Sequence, residues 1–369
     1  MISMHTILET LEKYVSLPSG TLDKQDVTAL AKAIAADFET LGMTVTLFTG
    51  TNMGPVVECS FGHGKKQLML MGHMDTVFPR AECQPFVIEG DIAHGSGVCD
   101  MKGGIAVMLH ALKSVLPKVD QDMYTVKVVL NPDEEVGSPE SHPIILKNAQ
   151  SSFAALSFEP ARKGGALTCE RKGVTSFTIR CTGIRGHSGA NYLQCASAIQ
   201  ELCQRINAIY KLRDDSRDIS VNIGVIQGGT AENVVADKAV ARGEFRYYDQ
   251  SFRQELMDKL LAIVNAPGIP GTTTTLTWGN THPALKATGQ SMELVKLAQK
   301  IAAEYGVSLG AESTGGAGDI AIAGLAGIPV LDGFGLEGDG MHTTHEFAYI
   351  KNVAFKVTLA ERMLLELLK

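Results

Sequence analysis

"YTVKVVLNPDEE", residues 124–135, joins an apolar run to three consecutive acidic side chains. The run Tyr124–Leu130 is typical of a buried strand, because β-branched residues fit the pleated surface of a sheet. Asp133, Glu134 and Glu135 repel one another, so water, a cation or a reaction must account for them. Two ordinary interpretations remain open at this point: a solvated loop, or Asp133 as the cap of a helix.

Other strand and helix signals alternate around this stretch. The continuous apolar run Gln67–Met71 predicts a strand buried on both faces. A helix is predicted at Ile105–Val115 and a further strand at Ala154–Phe158. This βα alternation predicts an α/β fold with a mostly parallel sheet covered by helices.

The βα alternation stops near residue 172 and resumes about 110 residues later. Between these points the predicted order is β-α-β-β-α-β, the ferredoxin-like plan. We therefore predict one α/β domain, residues 1–172 and 283–369, interrupted by an inserted α+β domain, residues 173–282. The inserted elements are strands Val174–Cys181, Ile219–Ile226, Ala239–Tyr248 and Thr272–Trp278, with helices Ala196–Leu212 and Phe252–Val264.

Composition excludes several classes of function. The 369 residues carry 33 basic and 40 acidic side chains, a net charge of −7, without a basic stripe. We therefore expect no nucleic-acid partner. No apolar run reaches the roughly 20 residues that span a bilayer, and Met1–Thr10 lacks the pattern of a signal peptide. The seven cysteines contain no CxxC pair, which favours reduced thiols and a cytoplasmic protein.

Polar side chains follow the predicted strands at the points where they end. In an open α/β sheet, ligands bind beyond the carboxyl ends of the strands. Histidine with several carboxylates at one edge is a plausible donor set for a metal such as Zn²⁺. The candidates are His73 and Asp75 after the 67–71 strand, Asp100 before a helix, Glu134, Glu135, Glu159 after the 154–158 strand, and His342 and His345 in "GDGMHTTHEFA".

Each of these signals has a plainer interpretation when taken singly. His-x-Asp at a strand end is commonly a solvated turn, and His187 in "RGHSG" is commonly a loop histidine. The glycine-rich "STGGAGD", residues 313–319, lacks the Lys-Ser/Thr of a P-loop, so we interpret it as a turn. We interpret Cys99 as a small buried residue rather than a nucleophile.

Six motifs together resemble a known family. "MGHMDTVFP", "GSGVCDMKGG", "NPDEEVGSPES", "SFEP", "RGHSG" and "MHTTHE" occur in order. In order and spacing they resemble the di-zinc metallopeptidases related to glutamate carboxypeptidase, aminoacylase and succinyl-diaminopimelate desuccinylase. The glutamate carboxypeptidase branch is the most similar. The resemblance extends from "LPSGT", residues 18–22, to the final helix.

The resemblance implies two Zn²⁺ ions per chain, with Co²⁺ or Mn²⁺ as alternatives. It also implies a cis peptide bond between Asp100 and Met101. Its implied residues are His73 and Glu159 for one ion, Glu135 and His342 for the other, Asp100 as the bridge, and Asp75 holding the His73 ring, with His345 as a spare histidine.

The resemblance further implies hydrolysis of an amide bond next to a free carboxylate. Two metal ions would activate a water molecule, and Glu134 would be the general base. The substrate would be a small peptide or an N-acyl amino acid. An N-acyl amino acid deacylase or desuccinylase with the same site is the alternative. A non-catalytic metal-binding scaffold is a third hypothesis, but it predicts a damaged base or ligand set, and here all positions are filled.

The inserted domain is implied to act as a lid and as the interface of a homodimer. His187 would reach the partner's active site and stabilise the oxyanion, while Asn233 and Arg246 would bind substrate. One departure concerns specificity: His282-Pro283 stands where many glutamate-specific relatives have Arg-Pro. The missing arginine weakens the expectation of a C-terminal glutamate and leaves the substrate open.

Overall fold

The computed structural model describes residues 3–369, so the first two residues of the stretch Met1–Thr10 lie outside the described residues. The chain divides into two compact units. The first contains the segment that ends at Glu170, together with Ala287–Thr314 and Gly318–Lys369. The second contains Arg171–Lys286 and the short segment Gly315–Ala317.

A six-stranded sheet forms the centre of the first unit. Its first two pairings are antiparallel and the remaining three are parallel, so the predicted mostly parallel sheet is confirmed. From edge to edge the strands are Thr44–Phe48, Val56–Phe61, Tyr124–Asn131, Lys66–His73, Ser152–Ser157 and Val330–Leu331.

Helices cover this sheet on both faces, as its side chains show. Leu68 and Leu70 belong to the main hydrophobic cluster, whereas Met69 and Met71 are equally buried outside it. Successive strand residues point to opposite faces, so both faces of this strand are covered. The helices of the unit are Met4–Val15, Lys24–Thr40, Lys102–Val115, His142–Gln150, Gly289–Glu304, Ile320–Gly324 and Val353–Leu367.

The helix Lys102–Val115 approaches the sheet closely at its first turn. A Cβ atom added to Gly104 would lie 1.8 Å from the carbonyl oxygen of Phe158. Glycine therefore permits the contact between this helix and the end of the strand Ser152–Ser157. The contact brings the residues just before the helix close to those just after the strand.

Two smaller sheets are formed mainly by residues of the first unit. One has four short strands in the order Gly338–Asp339, Phe347–Tyr349, Ile92–His94 and Val87–Glu89. The other pairs Leu167–Arg171 with Ala311–Thr314. Strands of two to five residues leave little periodic signal in a sequence, which explains why the sequence analysis did not predict them.

The second unit has the β-α-β-β-α-β order that the sequence predicts. Its hydrophobic core is separate from that of the first unit, and the Phe177 and Phe245 ring centroids lie 4.9 Å apart. The four strands are all antiparallel to their neighbours, in the order Ser220–Gly228, Lys238–Tyr247, Gly173–Thr182 and Thr273–His282, with helices Ala198–Tyr210 and Phe252–Asn265. A separate short pair joins Gly186–His187 to Val234–Val235.

Several predicted boundaries shift by a few residues. The helix predicted from Ala196 begins at Ala198, because the Ser197 side chain accepts a hydrogen bond from the Gln200 amide and caps the helix. The strand predicted at Thr272–Trp278 runs from Thr273 to His282. Within residues 3–369, no helix combines the length and the apolar character needed to cross a bilayer.

Candidate metal centre

Three neighbouring strands of the central sheet deliver acidic and imidazole groups to one edge. His73 ends Lys66–His73, Glu134 and Glu135 follow Tyr124–Asn131, and Glu159 follows Ser152–Ser157. The middle strand pairs in parallel with both others, so their carboxyl ends lie together. The predicted grouping at a strand edge is therefore present.

Asp100 lies between two histidines. One of its oxygens, Oδ1, is 3.1 Å from Nε2 of His73, and the other, Oδ2, is 3.5 Å from Nε2 of His342. Glu159 Oε1 lies 3.6 Å from the same nitrogen of His73, and Glu135 Oε2 lies 3.2 Å from that of His342. Each imidazole nitrogen thus faces Asp100 and one further carboxylate.

This arrangement requires positive charge between its members. Nδ1 of His73 lies 3.0 Å from the backbone carbonyl oxygen of Asp75, to which it donates when it carries the ring proton. In the neutral ring Nε2 then presents a lone pair to carboxylate oxygens, which is repulsive without a proton or a metal ion. Ligand atoms of His73, Asp100 and Glu135 all lie within 4.8 Å of one another. Imidazole and carboxylate donors fit a divalent cation such as Zn²⁺, Co²⁺ or Mn²⁺.

Charge in the cation-free protein follows from the same contacts. Hydrogen bonds to Asp100 and Glu135 raise the pKa of His342 to about 10. Burial opposes protonation of His73, but Glu159 and Asp100 raise its pKa well above the ordinary value. Burial also opposes ionisation of Asp100, yet the two histidines lower its pKa. Without a cation, these contacts favour the doubly protonated form of both rings.

The Asp75 carboxylate holds the backbone of the acidic turn as well as facing the His73 ring. Its Oδ1 accepts a hydrogen bond from the Glu134 amide and its Oδ2 from the Glu135 amide, both at 3.2 Å. The Thr21 hydroxyl donates to Oδ2 at 2.8 Å. Nδ1 of His73 lies 3.4 Å from Oδ1, farther than from the Asp75 carbonyl oxygen. Asp75 thus orients residues on both sides of the site.

Asp133 differs from the other two acids of the triplet. It is fully buried, and its carboxylate accepts hydrogen bonds from the backbone amides of Glu140 and Ser141 and from the Ser141 hydroxyl. These contacts fix the segment that leads into the helix His142–Gln150. The cap interpretation is wrong for the Asp133 side chain, because it makes no capping hydrogen bond to its own turn and the N-cap residue of the helix His142–Gln150 is Ser141.

Glu134 lies in the one-turn 3₁₀ helix Glu134–Val136. Burial raises its pKa well above the ordinary value, and the neighbouring carboxylates of Asp319, Glu159 and Glu135 add to this against the opposing effect of His73. A carboxyl group with raised proton affinity is suited to general acid–base chemistry.

Sequence reasoning missed two buried acids near the site. Asp319, the last residue of "STGGAGD", accepts hydrogen bonds from the Ser138 hydroxyl at 2.6 Å and the Asn131 amide at 2.7 Å. Burial raises its pKa to about 7. Glu346 follows "MHTTH" directly and accepts three backbone hydrogen bonds. The sequence offered one signal for each of them: Asp319 follows a glycine-rich loop, and Glu346 stands beside the candidate histidine His345.

Two further predictions concern the segment around Asp100. The peptide bond between Asp100 and Met101 is cis, as the resemblance implies. Cys99 is buried, and burial raises the pKa of its thiol well above the ordinary value. A thiol that resists ionisation is a poor nucleophile, which agrees with the interpretation of Cys99 as a small buried residue.

The remaining predicted residues lie elsewhere. His345 is exposed, and His342 is the histidine that faces Asp100 and Glu135. In the second unit, Nδ1 of the exposed His187 accepts hydrogen bonds from the amides of Gly189 and Ala190.

Asn233 and Arg246 also belong to the second unit. The Asn233 carbonyl oxygen accepts from the Ser188 amide at 3.1 Å. Arg246 donates to the Glu244 carboxylate at 2.7 Å and to the Gly315 carbonyl oxygen at 2.8 Å. The roles of His187, Asn233 and Arg246 stay predictions.

Comparison with known proteins gives a consistent result. The model of a family described as peptidase family M20/M25/M40 matches residues 69–366. The chain is 31% identical over 372 residues to carboxypeptidase G2 of Pseudomonas sp. (strain RS-16), which covers 98% of this chain and 89% of that protein. It is 25% identical over 344 residues to succinyl-diaminopimelate desuccinylase of Variovorax paradoxus (strain S110), covering 86% of each. The resemblance indicated by the motifs is confirmed.

Solved structures share the fold over almost the whole chain. The aminopeptidase PepT from Bacillus cereus ATCC 10987 is 20% identical, with a TM-score of 0.80 and complete coverage of both chains. The M20 family metallo-carboxypeptidase Sso-CP2 from Sulfolobus solfataricus is 17% identical, with a TM-score of 0.80, and covers 97% of this chain and 98% of that chain. These similarities establish the fold.

The protonated histidines predict a pH dependence of metal affinity. Protons on His73 and His342 must leave before the ring nitrogens bind a cation. Because both pKa values are raised, affinity rises with pH between pH 6 and 8, about tenfold per pH unit for each proton released. Chelator competition with Co²⁺ in the metal-stripped protein measures this slope. A pH-independent affinity would contradict the proton competition described above.

Proposed function

This chain belongs to peptidase family M20/M25/M40, and on that premise we propose that it hydrolyses an amide bond next to a free carboxylate. It is a hydrolase of the metallopeptidase type, and peptidases of this family depend on a metal. The observation that carries the proposal is the Asp100 carboxylate, whose two oxygens face His73 and His342 separately. A carboxylate placed in this way is suited to bridge two cations.

We propose that the site holds two Zn²⁺ ions, with Co²⁺ or Mn²⁺ as alternatives. His73 and Glu159 would bind one, Glu135 and His342 the other, and Asp100 both. Bound divalent cations at such a site acidify a water molecule and polarise the amide carbonyl. Asp75 keeps this donor set in place through the Glu134 and Glu135 amides and through its contacts with His73.

Glu134 is the proposed general base. It would take a proton from the attacking water as the carbon–oxygen bond forms, and then give that proton to the leaving nitrogen as the carbon–nitrogen bond breaks. Its position next to Glu135 supports this role, because the two acids share one short helix while only Glu135 faces His342. This division of labour accounts for two adjacent acids.

The substrate class follows from relatives and from the second unit. Carboxypeptidase G2, the relative at 31% identity, is by its name a carboxypeptidase. We propose a small peptide or N-acyl amino acid as substrate, with Asn233 and Arg246 binding it and the Arg246 guanidinium clamping its carboxylate. The desuccinylase relative favours an N-acyl amino acid deacylase or desuccinylase as the second candidate. Many glutamate-specific relatives have arginine where this chain has His282. We therefore do not assign glutamate as the leaving residue.

The second unit is the proposed lid and homodimer interface. Because Nδ1 of His187 accepts two amide hydrogen bonds, the neutral ring carries its proton on Nε2. The exposed ring therefore presents a hydrogen-bond donor, as stabilisation of an oxyanion in the partner's site requires.

The seven cysteines are all free thiols, which supports the proposed cytoplasmic location.

Hydrolysis of a substrate panel tests the proposed activity. The panel contains dipeptides ending in glutamate, folate-type substrates, N-acetyl and N-succinyl amino acids, and the carboxamide of each free acid. We expect turnover of free acids and little turnover of carboxamides. Glu134→Gln is expected to keep its bound metal and to lose activity by about 10²–10⁴-fold, the usual contribution of a general base.

Glu293→Gln is the matched control, because Glu293 pairs with Lys296 on the exposed side of a helix. It should behave as the wild type in metal content and rate. Normal turnover by Glu134→Gln would exclude it as the base, and a metal-loaded wild type that hydrolyses nothing in the panel would favour the scaffold hypothesis.

Mixing two inactive variants tests the role of His187 across the dimer. His187→Ala should lower kcat by about 10²–10³-fold. When it is mixed with Glu134→Gln and subunits exchange, about half of the dimers contain one chain of each variant. In such a dimer one site combines Glu134 of one chain with His187 of the other, and the second site lacks both. About a quarter of wild-type activity should therefore return. Differently tagged chains verify the exchange. An exchanged mixture that stays inactive is incompatible with a histidine supplied by the partner.

A further inference from the structure

Two loops of the first unit leave the same small sheet side by side. Phe347 pairs with His94 in an antiparallel register, so the residues after His94 and those before Phe347 run from the same edge. The first loop, residues 95–100, ends in Asp100. The second loop, residues 340–346, contains His342 and ends in Glu346. The two loops thus carry the proposed bridge and one of the proposed histidine ligands.

The Glu346 carboxylate connects the two loops through hydrogen bonds. Its Oε2 accepts a hydrogen bond from the Gly97 amide at 2.8 Å. Its Oε1 accepts from the Cys99 amide at 2.9 Å and from the Asp100 amide at 3.0 Å. Both carboxylate oxygens are therefore used, and one of the three donors is the backbone of Asp100 itself.

Glu346 is a buried carboxyl group held by backbone amides. It is 3% exposed, and within residues 3–369 it forms no ion pair with a basic side chain. The buried Lys102 ammonium donates instead to the Leu17 carbonyl oxygen at 2.8 Å. Burial and the nearby Asp100 carboxylate raise the pKa of Glu346 to about 7, and the three amide hydrogen bonds oppose this rise. The three amide contacts, made by both carboxyl oxygens, indicate a geometric role in the 95–100 loop.

The 95–100 loop is shaped to present its amides to one point. Gly97 has a φ of 77°, a backbone conformation that glycine adopts readily. A Cβ at this position would lie 2.7 Å from Cγ2 of Thr76. The Lys102 amide donates to the Gly97 carbonyl oxygen at 2.9 Å, which leads the loop directly into its helix. This loop conformation directs three of the four backbone amides of residues 97–100 toward Glu346.

We propose that Glu346 is a positioning residue of the metal centre, which sets the place of Asp100 relative to His342. This inference rests on the proposed two-metal site. The Asp100 oxygens lie 3.5 Å from Nε2 of His342 and 3.1 Å from Nε2 of His73. A small displacement of the Asp100 backbone therefore changes both distances. Groups that orient a ligand in this way affect metal affinity without touching the metal.

Glu346→Gln tests the proposal. The glutamine oxygen still accepts from two amides, but its NH₂ group faces the third donor and cannot accept. Metal-stripped protein is titrated with Co²⁺, and affinity is measured by chelator competition. We expect Co²⁺ to bind about 10–100-fold more weakly at one or both sites, with a changed visible absorption spectrum. Unchanged affinity and spectrum in the folded variant would overturn the role of Glu346.

Glu201→Gln is the matched control, since Glu201 is a buried carboxylate of the second unit that accepts a hydrogen bond from the Ile269 amide at 2.8 Å. It should lose thermal stability while its Co²⁺ affinity and spectrum stay those of the wild type. A general effect of losing a buried carboxylate would instead change both variants alike and would count against a specific role for Glu346.

A second variant covers failure of Glu346→Gln to fold. Glu346→Asp keeps the carboxyl group but ends one methylene short of the three amides. Weaker Co²⁺ binding by this variant supports the proposal, and wild-type binding overturns it. A wild-type protein that binds no Co²⁺ would refute the proposed metal centre itself, an outcome distinct from failure of the Glu346 inference alone.

Discussion

The site is organised around the Asp100 carboxylate and the two imidazoles that it faces. Oδ1 points toward His73, on the central sheet, and Oδ2 toward His342, on a loop near the C-terminus. Residues separated by more than two hundred positions meet at one side chain, so strands, helix and loops must all be correctly placed. The close approach at Gly104 and the amide contacts of Glu346 both act on the segment that carries Asp100.

Concentrating so many carboxylates in one place is unfavourable unless a positive charge is present. In the cation-free protein, the neighbouring carboxylates raise the pKa of both histidines, that of His342 to about 10, and so favour protonated rings that supply this charge. Divalent cations supply it in the proposed active state. The exchange of protons for metal connects the charge of the site with its function, since the same ring nitrogens serve both states.

Much of this organisation was predictable from the sequence. Gln67–Met71 and Tyr124–Leu130 are apolar enough to be recognised as strands, and parallel strands place the acids that follow them at one edge. The sequence also predicted the β-α-β-β-α-β order of the second unit. Local patterns sufficed because each of these elements is long and strongly periodic.

The unpredicted features depend on contacts between distant residues. Nothing near Glu346 indicates that its carboxylate receives amides from residues 97–100, and nothing near Asp75 indicates that it holds the backbone of Glu134 and Glu135. The segment Gly315–Ala317 joins the second unit without any change in composition that marks it.

Anomalous diffraction from crystals grown with Zn²⁺, recorded above and below the zinc absorption edge, tests the central claim most directly. Two peaks per chain are predicted, about 3.5–4 Å apart. One should lie beside His73 and Glu159, the other beside Glu135 and His342, with one oxygen of Asp100 directed at each. A single peak, or peaks away from Asp100, would contradict a two-metal site bridged by this carboxylate.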